Sequence, residues 1–278
     1  MSENKELAIV EKNISDNVLA RLNEFEKQGA LNLPSTYSAP NALKSAYLIL
    51  RETNKDGKCV LETCTKESIA NSLLDMCIQG LSPVKKQCYF IPYGNQLRLS
   101  KSYLGNIAAT KRLKGVKDVF AEIIYEGDEF EYEIDLESGL KKITKHEQDF
   151  MNIDITKIKG AYAVIIREDN PNYVEVMNIN QIKNSWNQGS MKGQSGAHKN
   201  FTDQMCKKTA INRACKNFLD TSDDSDILIE AINNTEQLES ESLENKDIIT
   251  SVEYEIQENA NTEVIDITEN GKTEEPGF

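Results

Sequence analysis

Seven cations, Lys85, Lys86, Arg98, Lys101, Lys111, Arg112 and Lys114, fall within residues 76–116, a stretch without a single Asp or Glu. Tyr89, Phe90, Tyr93 and Tyr103 are interleaved with them. Lysine and arginine neutralise phosphates and aromatic rings stack on bases, so the mixture has the chemistry of single-stranded nucleic-acid binding. A second run follows later in the chain. An acid-free, Gly-rich loop at 189–196, carrying Lys192, leads into a helix expected over 202–218. At 100° per residue, Lys208, Thr209, Asn212, Arg213 and Lys216 share one side of that helix, and Ile211, Ala214, Cys215 and Phe218 share the other. No acid between Asp203 and Asp220 stands ready to pair with these cations. A merely solvated face usually mixes signs, so phosphate contact is the favoured reading.

The residues expected to meet phosphate are Lys86, Arg98, Lys101, Lys111, Arg112, Lys192, Lys208, Arg213 and Lys216. Asn212 is expected to add a polar contact to the DNA backbone, and Tyr103 and Phe201 to pack on base or sugar. Tyr89, Phe90 and Trp186 read as core or subunit contacts.

These sites must be positioned by a body whose charge is hidden by its tail. The chain has 278 residues and a net charge of -13, yet residues 220–278 hold 18 acidic and only 2 basic side chains, which leaves 1–219 at +3. Such asymmetry points to a nucleic-acid or protein partner. The apolar runs are shorter than the ~18 to 20 residues that cross a bilayer, and residues 1–10 lack a basic-then-apolar leader pattern, so a cytoplasmic protein is expected.

Other chemistries find little footing. The six cysteines form no Cys-x-x-Cys pair, and only His146 and His198 could complete a metal set, so buried free thiols are expected and neither metal nor cofactor is. Gly271-Lys272-Thr273 is like the end of a phosphate-binding loop, but position 266 is Asp where the motif requires Gly. An ATP-driven motor is therefore not expected. A metal-dependent nuclease is the enzymatic alternative, because Asp128, Glu129, Glu131, Glu133 and Asp135 cluster in one segment. Alternating carboxylates are more often the solvent face of a strand. A protein that coats single strands without pairing them is the third reading.

The pattern predicts an α+β fold, with antiparallel sheet and hairpins packed with several helices, and a disordered acidic C-terminal tail. Residues 7–28 place Ile14, Val18, Leu22 and Phe25 at helical spacing; this helix, in an N-terminal region 1–34, packs on its own domain or on a neighbouring subunit. The core is expected over 35–219. Pro40 opens a helix bearing Leu43, Tyr47 and Leu50, and Thr65 caps one bearing Ile69, Leu73 and Met76. A hairpin follows over 87–99, then a helix over 101–113, an antiparallel meander over 116–145, a hairpin over 161–177 and a short helix over 179–186. Beyond 219 the apolar periodicity fades, and disorder with partner docking or regulation is expected for 220–278. Val264, Ile265 and Ile267 form a small apolar island there, and the terminal Glu274-Glu275-Pro276-Gly277-Phe278 loosely resembles the tip of bacterial single-strand binding proteins.

Taken in order, Ala39-Pro40-Asn41-Ala42-Leu43-Lys44-Ser45-Ala46, Cys64-Thr65-Lys66-Glu67-Ser68-Ile69-Ala70, Gly80-Leu81-Ser82-Pro83 and Lys86-Gln87-Cys88-Tyr89-Phe90-Ile91 resemble the RecT family of phage single-strand annealing proteins. Tyr93-Gly94-Asn95, Ser102-Tyr103-Leu104-Gly105 and Lys207-Lys208-Thr209-Ala210-Ile211 continue the likeness, which covers about 35–219. The resemblance implies a core related to annealing proteins and an ATP-independent recombinase with no covalent step. It implies single-stranded DNA and annealed duplex as partners, a homo-oligomer in rings or a helical filament, and a companion phage exonuclease. It also implies a C-terminal region that docks replication or nuclease partners such as the host single-strand binding protein.

Overall fold

The computed structural model describes residues 2–53, 57–189, 191–219, 227–232, 234 and 235. Its first half is helical. Helix α1 (Ser2–Lys27) buries Ile14, Val18 and Leu22, the stripe that its spacing predicts, and packs with α2 (Ala39–Leu50) on α4 (Lys66–Ile78). Ser38 starts α2 by accepting from the Asn41 N–H, and Thr65 starts α4 by accepting from the Ser68 N–H. A single turn, α3 (Val60–Thr63), joins them.

Strands β1 (Cys88–Tyr93) and β2 (Gln96–Lys101) form the expected hairpin and lie on α4. Two buried serines lock the two elements: Ser72 Oγ donates to the Leu97 carbonyl at 2.9 Å, and the Leu97 N–H donates to Ser68 Oγ at 3.0 Å. Helix α5 (Tyr103–Thr110) follows at once, shorter than the spacing suggests because β2 runs through Lys101 and Ser102 caps the helix.

A three-stranded antiparallel sheet follows. β3 (Val116–Tyr125) pairs with β6 (Ile158–Arg167), and β6 pairs with β7 (Tyr173–Asn178). The meander expected over 116–145 is therefore corrected: β4 (Glu129–Ile134) pairs with β5 (Lys141–Glu147) but not with β3. The reason is burial. Val119, Ala121, Ile123 and Tyr125 of β3 need a neighbour that is buried on both faces, which β6 supplies and the Glu-rich β4 does not. The Asp128 carboxylate accepts from the Tyr125 N–H at 2.8 Å, closing the turn by which the chain leaves the sheet.

After α6 (Ile179–Trp186) and α7 (Gly196–Asn200), α8 (Thr202–Leu219) crosses one face of this sheet and buries Cys206, Ala210, Ile211, Ala214, Cys215 and Leu219 in the main core. The opposite face, with Ile124, Tyr162, Val164 and Val174, is covered by Phe130 and Ile143 of the β4/β5 hairpin. All six cysteines are buried and free, and burial pushes the Cys77, Cys88 and Cys206 thiols up to about 12. The result is a mixed α+β protein with antiparallel sheets, as the sequence pattern predicts.

Order does not stop at residue 219. Residues 227–232, 234 and 235 are helical, and Leu228, Ala231 and Ile232 join the main core. Gln79, itself fully buried, donates at 2.9 Å to both the Ala231 carbonyl and Thr235 Oγ1. The i, i+3, i+4 spacing of those apolar residues is the signal that the acidic composition around them masks. Residues 236–278, with the 264–267 island and the terminal acidic-Phe sequence, lie outside the described residues. Among the described residues, no helix is long and apolar enough to cross a membrane.

Candidate nucleic-acid interface

Helix α8 and helix α5 pack side by side, and their outer sides make one surface. Along α8, Lys208, Asn212 and Lys216 stand at i, i+4 and i+8, a row of about 12 Å at 1.5 Å per residue. Two contacts fix its orientation. Trp186 Nε1 donates to Thr209 Oγ1 at 2.7 Å, and Asn106 Nδ2 of α5 donates to Asn212 Oδ1 at 3.1 Å.

Lys86 is tied to the same surface. It is exposed, with φ 54, the left-handed region that favours glycine. Its carbonyl accepts from Ser102 Oγ at 2.6 Å, and Ser102 also caps α5 through the Gly105 N–H. A Cβ at position 105 would run into the Gln87 carbonyl oxygen, well inside van der Waals contact, so the close approach of this turn to α5 requires glycine. Tyr103, half-buried against the main core, starts the helix at that point.

At the start of α8, Phe201 is 50% exposed, while His198 packs edge-on to Trp186 at 4.7 Å. Burial and the Lys208 ammonium push the His198 imidazole below its ordinary value. Gly193 lies against the Trp186 ring, which holds the loop carrying the exposed Lys192, φ 46, next to α8.

The structure thus places Lys208, Asn212, Arg213 and Lys216 along the outer side of α8, Lys86 and Tyr103 at the start of the adjacent α5, and Lys192 and Phe201 on the segment before α8. It separates four others. Arg98 lies half-buried on the outer side of the β1/β2 hairpin. Lys111, beyond the C-terminal end of α5, meets Asp118 at 2.9 Å and holds that carboxyl below its usual range. Lys101 is only 7% exposed, so its ammonium faces the interior. The two-residue period of β2, which turns Leu97 and Leu99 inward, turns Lys101 with them. Arg112 is directed at backbone carbonyls: Nη1 donates to Ile78 O, Nη2 donates to Asn32 O at 3.2 Å, and its side chain lies over Gly80. It secures the C-terminal end of α4.

The expectation that the cations of α8 lack acidic partners is also corrected. The helix supplies none between 203 and 220, but the sheet does. Glu122 of β3 meets Lys207 at 2.7 Å, and Glu175 of β7 meets Arg213 at 3.2 Å. Sequence reasoning missed Asn106, Ser102, Glu175 and Thr209 as partners, because each acts across a distance in the chain that only the packing closes.

Four of the five carboxylates of the nuclease alternative are engaged by the fold. Burial works against the Asp128 anion, but the Tyr125 N–H, Gln148 and His146 hold it below its ordinary range. Glu129 and Glu133 face Lys145 and Lys142, and Asp135 caps its own turn through the Glu137 N–H. Among the described residues, no group of three or more His, Cys, Asp or Glu is arranged to hold a metal ion.

Comparison with known proteins gives a family. A model described as the RecT family matches residues 40–250. Protein RecT of Escherichia coli (strain K12) is 25% identical to this chain over 214 residues, which cover 73% of this chain and 75% of that relative.

Proposed function

The chain belongs to the RecT family and so to the proteins of DNA recombination and single-strand annealing, and from that premise we propose that it binds single-stranded DNA and anneals complementary strands without nucleotide hydrolysis. The observation that supports this reading is the packing of α5 against α8, with Lys208, Asn212, Arg213 and Lys216 on the outer side of α8 and Lys86 tied to the start of α5.

The physics needs no covalent step. Cations on this surface neutralise the phosphates of a first strand and release its counterions, while the base edges stay open to a second strand. Watson-Crick pairing then supplies recognition, and stacking adds on the order of 1.4 kcal/mol per base-pair step. Contacts to phosphate and ring faces make the binding neutral to sequence. Phe201 and Tyr103 are the rings offered to base or sugar.

The protein acts as a homo-oligomer, ring or helical filament, in the cytoplasm of a bacterial host. A companion phage exonuclease prepares the strands and the host single-strand binding protein is displaced from them. Exposed Phe150 and Met151, between β5 and β6, supply apolar surface for contact between copies.

The test is the pairing rate of two complementary labelled oligonucleotides, followed by fluorescence transfer without ATP. Accelerated pairing with intact strands supports annealing. Binding without acceleration marks a coating protein, and strands shortened on adding a divalent metal mark a nuclease.

A further inference from the structure

Glu175 is an acid placed beside the most exposed arginine of the α5/α8 surface. It lies on β7 on the same side as Met177, under α8, and its side chain is only 9% exposed. One carboxylate oxygen is 3.2 Å from Arg213 Nε; the other is 3.7 Å from Lys141 Nζ, which reaches over from β5. The Arg213 side chain itself remains 44% exposed. Its guanidinium is therefore held from below by a buried carboxylate and open to solvent from above.

A carboxylate and a phosphate offer arginine the same thing, paired anionic oxygens that accept its fork of N–H donors. We propose that Glu175 is a positioning residue that stands in for a DNA phosphate on Arg213, holding the guanidinium at the surface and competing with the strand for it. This rests on the reading of α8 as a phosphate-binding face. Its consequence is a moderated grip. An annealing protein has to hold a strand and then give up the duplex, and a partner that takes back Arg213 lowers the barrier to release.

The experiment compares wild type, Glu175→Gln, Arg213→Ala and the double variant in fluorescence anisotropy with a labelled oligothymidylate at several salt concentrations. Glu175→Gln keeps the shape and a hydrogen-bonding oxygen but removes the charge. It is expected to bind roughly threefold to fivefold more tightly, the size of a part-exposed ion pair, and to steepen the salt slope by up to about 0.7, one more phosphate on a single strand. In the Arg213→Ala background the same change is expected to do nothing, since the effect runs through that arginine. Glu175→Asp, which keeps the charge and draws it back by one methylene, gives a smaller gain in the same direction and serves if the glutamine variant does not fold.

The outcomes separate the two claims. If wild type does not bind the probe, or Arg213→Ala binds as wild type does, the phosphate-face reading falls and this inference with it. If Arg213→Ala weakens binding while Glu175→Gln leaves affinity and slope unchanged, the face stands and Glu175 is only structural. A gain that persists without Arg213 assigns the effect to the general field and overturns the positioning role.

Discussion

The α5/α8 surface and the β4/β5 hairpin are both rich in charge, and they handle it in opposite ways. On the hairpin, acids and bases meet across and along the strands: Lys145 reaches diagonally to Glu129, Glu133 stands opposite Lys142 at 3.3 Å, and Lys145 also meets Glu147 at 3.5 Å. Most of these charges find a partner within the element; Lys141 reaches out of it to Glu175. On α8, Lys208, Arg213 and Lys216 share one side of a helix that has no acid between 203 and 220; Glu175 of one edge strand reaches Arg213, and Glu122 of the other reaches Lys207, off that side. A ladder that satisfies itself is a solvated face. A row that depends on distant partners is a face still able to take an external anion.

The two regions also differ in how rigidly they are built, and two glycines make that measurable. A methyl at Gly105 meets a backbone oxygen, whereas a methyl at Gly127, in the turn before β4, meets the Asn152 side chain at 2.8 Å. The carbonyl met at Gly105 is locked between the hairpin and α5, whereas Asn152, met at its Cβ as well as its amide, sits in an exposed turn that has to shift with it. Gly105→Ala is expected to cost about 3 kcal/mol in urea unfolding and Gly127→Ala about 1 kcal/mol. Equal costs would show that the Lys86 turn and α5 are not locked as described.

Charge removal gives the next largest contrast. Lys208→Ala with Lys216→Ala is expected to weaken oligothymidylate binding about tenfold at moderate salt and to flatten the salt slope by about 1.4, two single-strand phosphates' worth. Lys142→Ala with Lys145→Ala, on the hairpin, is expected to leave both within error, because those ammonium groups already face Glu133 and Glu129. A matching loss from the hairpin pair would move the interface there.

Much of this contrast was legible in the residues. The acid-free segments, the helix wheel of α8, the stripe of α1, the caps at Thr65 and the hairpin over 87–99 all follow from spacing and turn chemistry. Lys101 was legible too, since strand alternation puts it inward with Leu97 and Leu99. What spacing could not give is partnership across the fold. Nothing near Arg112 in the chain announces that it will hold the carbonyls of Ile78 and Asn32, and nothing near Arg213 announces Glu175. The pairing of β3 with β6 over β4 likewise depends on which strand must be buried twice, a property of the finished packing.

A third region, the helical segment at 227–235, repeats the lesson with like charges. Asp75 of α4 is pushed up to about 7 by burial and by the nearby Glu230, with Asn234 opposing the rise. A carboxyl whose value is raised on folding binds a proton that the unfolded chain, near 3.8, has already lost. Stability from this group is therefore greatest in acid and is lost as pH rises from about 4 through about 7. Asp75→Asn is expected to stabilise the protein by about 1 to 2 kcal/mol at pH 8 and by almost nothing at pH 4. Thermal melts at both values check it, and a gain of equal size at both would detach the effect from titration.

The two histidines carry the comparison to its smallest measurable effect. His146, in the hairpin region, sits between the Tyr162 hydroxyl at 2.9 Å and the Asp128 carboxylate at 3.3 Å. His198 instead stands beside Trp186 and Lys208, where burial first and the ammonium second disfavour its cation. Folded His198 thus resists a proton that the unfolded chain accepts near 6.5, so its contribution to stability is present at neutral pH and falls as pH drops below 6.5. In Lys208→Ala the second cause is gone and the first remains. The ring's NMR titration midpoint is then expected to move part of the way back toward 6.5. A His198 midpoint indifferent to Lys208 would mean that the cation projects away from the ring, and that the row on α8 is aligned differently from the one described.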